Sequence, residues 1–237
     1  MNRVLLRATG LVKKYGSKSV VNGIDLEVRE KEVVAVIGPN GAGKSTTLDL
    51  ILGLKRQDAG SVTFWRDDYK ADVGVQLQST PFFPGLSALD NLKLFAAFHK
   101  RKLSMEDGLR VLELCGLRDA ARTEASRLSG GQQKRLAIAV ALVHDPKLVF
   151  LDEPTAALDP RARREIRGLI RRLAESGASV VFTSHDMEEV GKLADRVVMI
   201  RDGKVMANGT PEELLERYKA ANLEELYLKL TEEEEAS

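Results

Sequence analysis

Nine consecutive residues, Gly38-Pro39-Asn40-Gly41-Ala42-Gly43-Lys44-Ser45-Thr46, bring glycines, a lysine and two hydroxyls together at a spacing suited to a polyphosphate. Glycines let successive N–H groups turn inward around an anion, and the positive end of a following helix adds to the field. Lys44 is then placed to reach the outer phosphates, and the Ser45 hydroxyl to bind a magnesium ion bridging them. Two carboxylates, Asp152 and Glu153, follow the apolar run Leu148-Val149-Phe150-Leu151. At the end of a buried strand such a pair can hold magnesium through Asp152 and polarise an attacking water through Glu153. His185 closes a further run, in Thr183-Ser184-His185-Asp186. It suits either a contact to a terminal phosphate and its water or a plain hydrogen-bonding role.

A second anion-seeking stretch is Leu128-Ser129-Gly130-Gly131-Gln132. Ser129 and Gln132 have the spacing of a capping box, and Leu136, Val140 and Val143 form the apolar stripe of the helix it opens. Two glycines inside the box cost helix stability and are unnecessary for capping. They suit a helix N-terminus whose backbone an anion approaches closely.

The elements that must position these groups are legible in part. Val33–Ile37 is an unalternating apolar run and Thr47–Leu52 reads as a helix, which gives strand, loop and helix in the required order. Ile24, Leu26 and Val28 alternate with Asp25, Glu27 and Arg29, the period of a half-buried antiparallel strand. Tyr15 lies in a turn between strand-like segments. Ala71–Gln78 reads as an alternating strand with Val73, Val75 and Leu77 on its apolar face, and the segment 79–85 breaks it. Helical spacing runs from Ser87 to about Cys115, interrupted at Lys100-Arg101-Lys102. In the segment 161–175 the apolar stripe is Ala162, Ile166, Leu169, Ile170 and Leu173, opposite Arg161, Arg163, Arg164, Arg167, Arg171 and Arg172. That basic side reads as a solvated face, with a nucleic-acid or lipid surface as its alternative. Asp202-Gly203 marks a hairpin, and Thr210-Pro211 a helix start.

The expected fold class is α/β: a phosphate-loop NTPase core with a mixed sheet flanked by helices. An antiparallel β subdomain precedes it, and an α-helical signature subdomain is inserted. One domain is expected over 1–220, with 1–78 and 145–220 as core and 79–144 as the insertion. Residues 221–237 read as a solvated acidic tail ending in Glu232-Glu233-Glu234-Glu235.

Composition narrows the function classes. The chain has 237 residues, 43% of them hydrophobic, and a formal charge of +1, so its balance gives no reason to expect nucleic acid as the main partner. The single cysteine, Cys115, reads as a small core side chain rather than a reactive thiol. Met1–Arg7 is too short and too charged for a signal peptide, and no uncharged apolar run approaches the ~18 residues of a membrane-spanning helix.

Taken in order, Gly38–Thr46, Leu128–Gln132, Leu148–Glu153 and Thr183–His185 resemble the nucleotide-binding subunit of an ATP-binding cassette transporter, over about residues 3–215. The resemblance implies ATP and Mg2+ as cofactors, with magnesium bound by Ser45, Gln78 and Asp152. It implies Tyr15 as the aromatic that stacks on adenine and Gln78 as the glutamine that senses magnesium and the attacking water, although Gln76 shares that strand face. Ser129, Gly131 and Gln132 match the signature that contacts the terminal phosphate of nucleotide held by another subunit. Asp159 matches the aspartate that communicates across the dimer, and His185 the switch histidine. The implied activity is ATP hydrolysis that drives transport through a transmembrane permease, by head-to-tail dimerisation with an identical or a different cassette. The implied place is the cytoplasmic face of the membrane. Phe82, Phe83 and Leu86 read either as the receiver of the permease's coupling helix or as subdomain core. The 82–86 and 223–230 stretches look more like multidrug or polysaccharide exporters than importers. A non-transport cassette of DNA repair, chromosomes or ribosomes is the alternative; such relatives generally carry long coiled coils or tandem cassettes.

Overall fold

The computed structural model describes residues 2–78 and 82–235, the last four by backbone alone. In chain order it runs β1 (Val4–Tyr15), β2 (Lys18–Arg29), β3 (Val33–Ile37), α1 (Lys44–Ile51), β4 (Ala59–Phe64), β5 (Val73–Gln76), α2 (Ala88–Phe98) and α3 (Met105–Leu114). There follow α4 (Gly130–Leu142), β6 (Leu148–Leu151), α5 (Pro160–Glu175), β7 (Ser179–Ser184), α6 (Met187–Gly191), β8 (Arg196–Arg201), β9 (Lys204–Gly209), α7 (Pro211–Tyr218) and α8 (Leu223–Glu235). The chain divides into two compact units, Met1–Asp67 with Val181–Ser237, and Asp68–Val180.

In the first unit β1 lies between β2 and β4, antiparallel to both. Ile24, Leu26 and Val28 point inward as their alternation requires, and each is at most 2% exposed. A second, mixed sheet has the order β7-β3-β8-β9, with β3 parallel to β8 and β8 antiparallel to β9. All five residues of β3 are buried, as expected of a strand covered on both faces. Asp202 (φ 48°) and Gly203 (φ 74°) supply the two left-handed positions that a tight β8–β9 hairpin needs. Thr210 and Glu213 close a capping box on α7, and Pro211 takes the first helical position.

The segment 221–237, read from its glutamates as a solvated tail, is helical over Leu223–Glu235. Leu223, Leu226 and Leu230 are buried, spaced three and four apart on one face. Arg201 Nη1 on β8 donates to Thr231 O at 3.1 Å, which ties the helix to the sheet. The apolar stripe carries the fold here, and the charges lie on the remaining faces.

In the second unit β5 pairs in parallel with β6, and β7 begins beside β6. The expected alternation of β5 is not what the strand shows. Val73, Gly74 and Gln76 are buried, whereas Val75 and Leu77 are half-buried. The cause is the close approach of α4: a Cβ on Gly74 would stand 2.3 Å from Ala141 O. A helix packed that tightly buries the small residue, so hydropathy alone misassigns the faces. The α5 stripe is as expected, with Ile166, Leu169, Ile170 and Leu173 at most 4% exposed. Burial of each contributes roughly 1.5–3 kcal/mol before ordering entropy. Arg135 Nη1 to Glu165 Oε2 (2.5 Å) joins α4 to α5.

Cys115 is 1% exposed and its thiol is pushed up to about 12 by burial, against the opposing Arg172 and Arg135 charges, so it packs as a core side chain. Residues 79–81 of the expected break lie outside the described residues. Just beyond them Phe82 and Leu86 are half-buried, whereas Phe83 is 41% exposed. Among the described residues no helix is long and apolar enough to cross a membrane.

Candidate functional site

The first unit holds the phosphate loop, Tyr15 and His185. Strand β3 delivers the chain into the loop, where Gly38, Gly41 and Gly43 have φ of 155°, 83° and 102°. Gly43 stands before α1 as its N-cap, and no side chain caps the helix. Its leading N–H groups and its dipole therefore face whatever occupies the loop, the arrangement an anion needs. Lys44 is 4% exposed, and its ammonium donates to Gly38 O (2.9 Å) and Pro39 O (3.0 Å). Ser45 and Thr46 are half-buried. Thr47 turns inward, and its hydroxyl donates to Gly43 O at 2.8 Å. The β8–β9 hairpin braces the loop, since Gly203 N–H donates to Ala42 O at 3.0 Å.

Glycine at position 43 is dictated by packing as well as by φ: an added Cβ would lie 2.5 Å from Val20 O on β2. Gly43→Ala is expected to cost about 3 kcal/mol from left-handed strain and overpacking, lowering the melting midpoint by about 6–12 °C. Thermal unfolding followed by circular dichroism checks this; a variant melting with the wild-type chain removes the steric account.

Tyr15 ends β1 and is 47% exposed, and the Lys13 and Lys55 ammonium groups lie 5.7 and 5.9 Å from its ring centroid. The ring thus has an open area flanked by cations. The Asp49 carboxylate, through its hydrogen bond, holds the Lys55 ammonium above the usual lysine range. His185 follows β7 directly and is exposed. Its neighbour Asp186 caps α6, accepting from Glu189 N–H at 3.0 Å, which fixes the turn that presents the imidazole.

The second unit holds the other candidates. Asp152 is 5% exposed, and its N–H donates to Gln76 O at 2.9 Å, continuing the β5–β6 ladder by one residue. Glu153 then takes φ 46° and Ala157 φ 60°, left-handed positions that side-chain-bearing residues seldom adopt. Strain of this kind concentrates where a side chain must be aimed. Asp159 caps α5, its Oδ1 accepting from the Arg161 and Ala162 N–H groups at 2.9 Å each. The Ala162 N–H, helped by that of Arg161, holds the carboxyl below the usual aspartate range.

The expected capping box is present: Gln132 N–H donates to Ser129 Oγ (3.3 Å) and Ser129 N–H to Gln132 Oε1 (2.9 Å). Gly131 has a packing reason, since a Cβ there would meet Ala162 Cβ at 2.9 Å, whereas Gly130 faces open space. Gln78 lies just beyond β5 and is exposed; Gln76, the rival on that strand, is 1% exposed. Both line one cavity of about 350 Å³, together with Gly130, Lys134, Ala156 and Leu158. The end of β5, the start of α4 and the turn after Glu153 therefore meet around one space. Lys134 was missed by sequence reasoning. Burial pushes its ammonium below the usual lysine range, and the Asp152 and Glu153 carboxylates oppose that shift. Its only signal was a cation on the first turns of a helix that is otherwise apolar from Leu136 onward.

A family model described as ABC transporter matches residues 21–156, more than half of the chain. The chain belongs to the ABC transporter family. It is an ATP-binding cassette, the ATP-hydrolysing subunit of such a transporter. It is similar to the linearmycin resistance ATP-binding protein LnrL of Bacillus subtilis, with 37% identity over 90% of this chain and 71% of that protein. It is also similar to the spermidine/putrescine import ATP-binding protein PotA of Marinobacter nauticus, with 35% identity over 92% of the cassette and 61% of that protein. Among solved structures, the ATP-binding cassette MJ0796, a dimer in a post-hydrolysis state bound to ADP and Pi, superposes with a TM-score of 0.76. The two share 30% identity, over 87% of this cassette and 98% of that chain. The expected α/β cassette fold, with its antiparallel β subdomain, is the one observed.

Proposed function

We propose that this cassette works on the cytoplasmic face of a membrane as the Mg2+–ATP-driven motor of a transmembrane permease, in a head-to-tail pair with a second copy of itself. The observation that carries the reading is that α1 begins without a capping side chain, behind three left-handed glycines and beside a buried lysine. ATP's phosphates are the natural acceptors for those N–H groups, with Lys44 exchanging its carbonyl contacts for phosphate oxygens. Backbone N–H groups of Gly38, Asn40, Gly41, Ala42 and Gly43 line the loop, Pro39 having none to give, and Tyr15 offers its exposed ring to adenine.

Ser45, Asp152 and Gln78 provide hard oxygen donors of the kind magnesium takes. Among the described residues no group of three or more His, Cys, Asp or Glu is arranged to hold a metal by itself. Glu153 polarises the attacking water, Gln78 and His185 hold it against the terminal phosphate, and Thr46 flanks the phosphates. One chain carries one phosphate loop and one signature. Ser129, Gly131 and Gln132 of one copy therefore close over nucleotide held by the other, with Asp159 at the seam. Hydrolysis removes the bridging charge and the pair opens.

The permease contact is assigned to an exposed aromatic patch. Phe83 and Phe98 are 41% and 63% exposed, and with Phe95 they form ring pairs 5.7–6.2 Å apart. Exposed rings clustered in this way suit a partner's apolar helix. In the test, tagged full-length cassette is purified from detergent-solubilised membranes of its own cells. The expected result is a co-purifying multispanning protein that stimulates ATP turnover once the two are reconstituted in vesicles. Recovery with ribosomes or DNA instead, and no stimulation by any membrane protein, would overturn it.

A further inference from the structure

Glu153 sits in a left-handed conformation between two carbonyls, and each of them is held by a side chain from a different element. Gln76 Nε2, on β5, donates to Asp152 O at 3.4 Å and also to its neighbour Leu77 O. Lys134 Nζ, on α4, donates to Glu153 O at 3.3 Å, and Ala156 N–H donates to the same oxygen at 3.2 Å. These carbonyls belong to the two peptide planes that meet at the Glu153 Cα, so fixing both planes fixes the Cα–Cβ bond from which the side chain starts and narrows where its carboxylate reaches.

Neither residue is an economical choice for packing. Gln76 is 1% exposed, and its Oε1 has no hydrogen-bond partner among the described residues. A leucine would fill that space without burying a polar atom, which costs about 1–3 kcal/mol when unsatisfied. Lys134 is half-buried beside the same cavity. Among common side chains, only a lysine or arginine reaches a carbonyl from that turn while facing two carboxylates with a positive charge.

We infer that Gln76 and Lys134 are positioning residues that clamp the two peptides flanking Glu153 and so aim its carboxylate at the attacking water. The inference rests on Glu153 being the group that polarises that water. A water-polarising carboxylate works only within hydrogen-bond reach and in line, so releasing the clamp slows turnover and leaves ATP binding alone. The clamp also gives Gln78 and the signature a mechanical route to Glu153. Gln76 precedes Gln78 by two residues, and Lys134 follows Gln132 by two on the same helix. The state of either stretch thereby bears on the carboxylate.

The test uses the full-length chain and steady-state ATP turnover. Lys134→Met and Gln76→Leu are each expected to lower kcat on the order of 10-fold, with the KM and the dissociation constant for ATP within about twofold of wild type. Lys134→Arg, which keeps a donor and a charge, is expected to restore most of the rate. A residue with a purely structural role would shift the melting midpoint and KM together and would not be rescued by arginine. Wild-type kcat in both Lys134→Met and Gln76→Leu overturns the inference, as does a fall that Lys134→Arg fails to restore. Glu153→Gln, run beside them, separates the two levels. Turnover retained in that variant removes the role of Glu153 itself, whereas an inactive Glu153→Gln chain beside fully active clamp variants removes the clamp alone.

Discussion

The Glu153→Gln cassette binds ATP with the wild-type dissociation constant and turns it over on the order of 10³-fold more slowly, as expected for loss of a group that takes part in proton transfer. The substitution keeps the size and shape of the side chain. It also leaves the backbone contacts to Glu153 O from Lys134 and Ala156 in place, so binding and folding have no reason to change. What disappears is the carboxylate just past the end of β6, next to Asp152. Phosphate release measures the turnover, and titration with a fluorescent nucleotide the affinity. Hydrolysis at the wild-type rate would show that Glu153 is not the water-polarising group.

Lys44→Ala acts on the opposite limb and weakens ATP binding by about 10–100-fold. Hydrogen bonds made by a charged group are worth about 1.5–3 kcal/mol, and 1.4 kcal/mol is a factor of ten. Lys44 is 4% exposed and its ammonium spans Gly38 O and Pro39 O at 2.9 and 3.0 Å, so it already stands at the mouth of the loop. Alanine is a strong helix former and carries no polar head, so α1 survives the change while the phosphates lose their cation. Calorimetric titration gives the number directly. An unchanged affinity would remove Lys44 from the nucleotide's contacts, and the loop's role would then rest on backbone N–H groups alone.

The phosphate loop, the capping box at Ser129 and the apolar stripe of α5 are all legible in the sequence, because each is a local pattern whose residue types have one physical use. Ile166 and Leu173 are where 3.6-residue spacing puts them, and the Ser129–Gln132 exchange needs only four residues to declare itself. What stays hidden depends on neighbours distant in sequence. Gly74 is buried because Ala141 O comes to it, and hydropathy had favoured Val75. Leu226 and Leu230 are core because their helix packs against α6 and α7, which the surrounding glutamates do not signal. Gln76 and Lys134 lie 58 residues apart, and no spacing rule joins them; only the packing of α4 on β5 brings their donors to adjacent carbonyls.

The pairing of two cassettes across their nucleotides is the claim on which the motor reading turns. It is tested most directly by light scattering on the size-separated Glu153→Gln chain, with and without Mg2+–ATP. Blocked turnover should hold the closed state, and the predicted result is a monomer mass without nucleotide and twice that mass with it. A single-chain mass under saturating Mg2+–ATP, at protein concentrations up to about 100 µM and with nucleotide shown to be bound, would contradict the account.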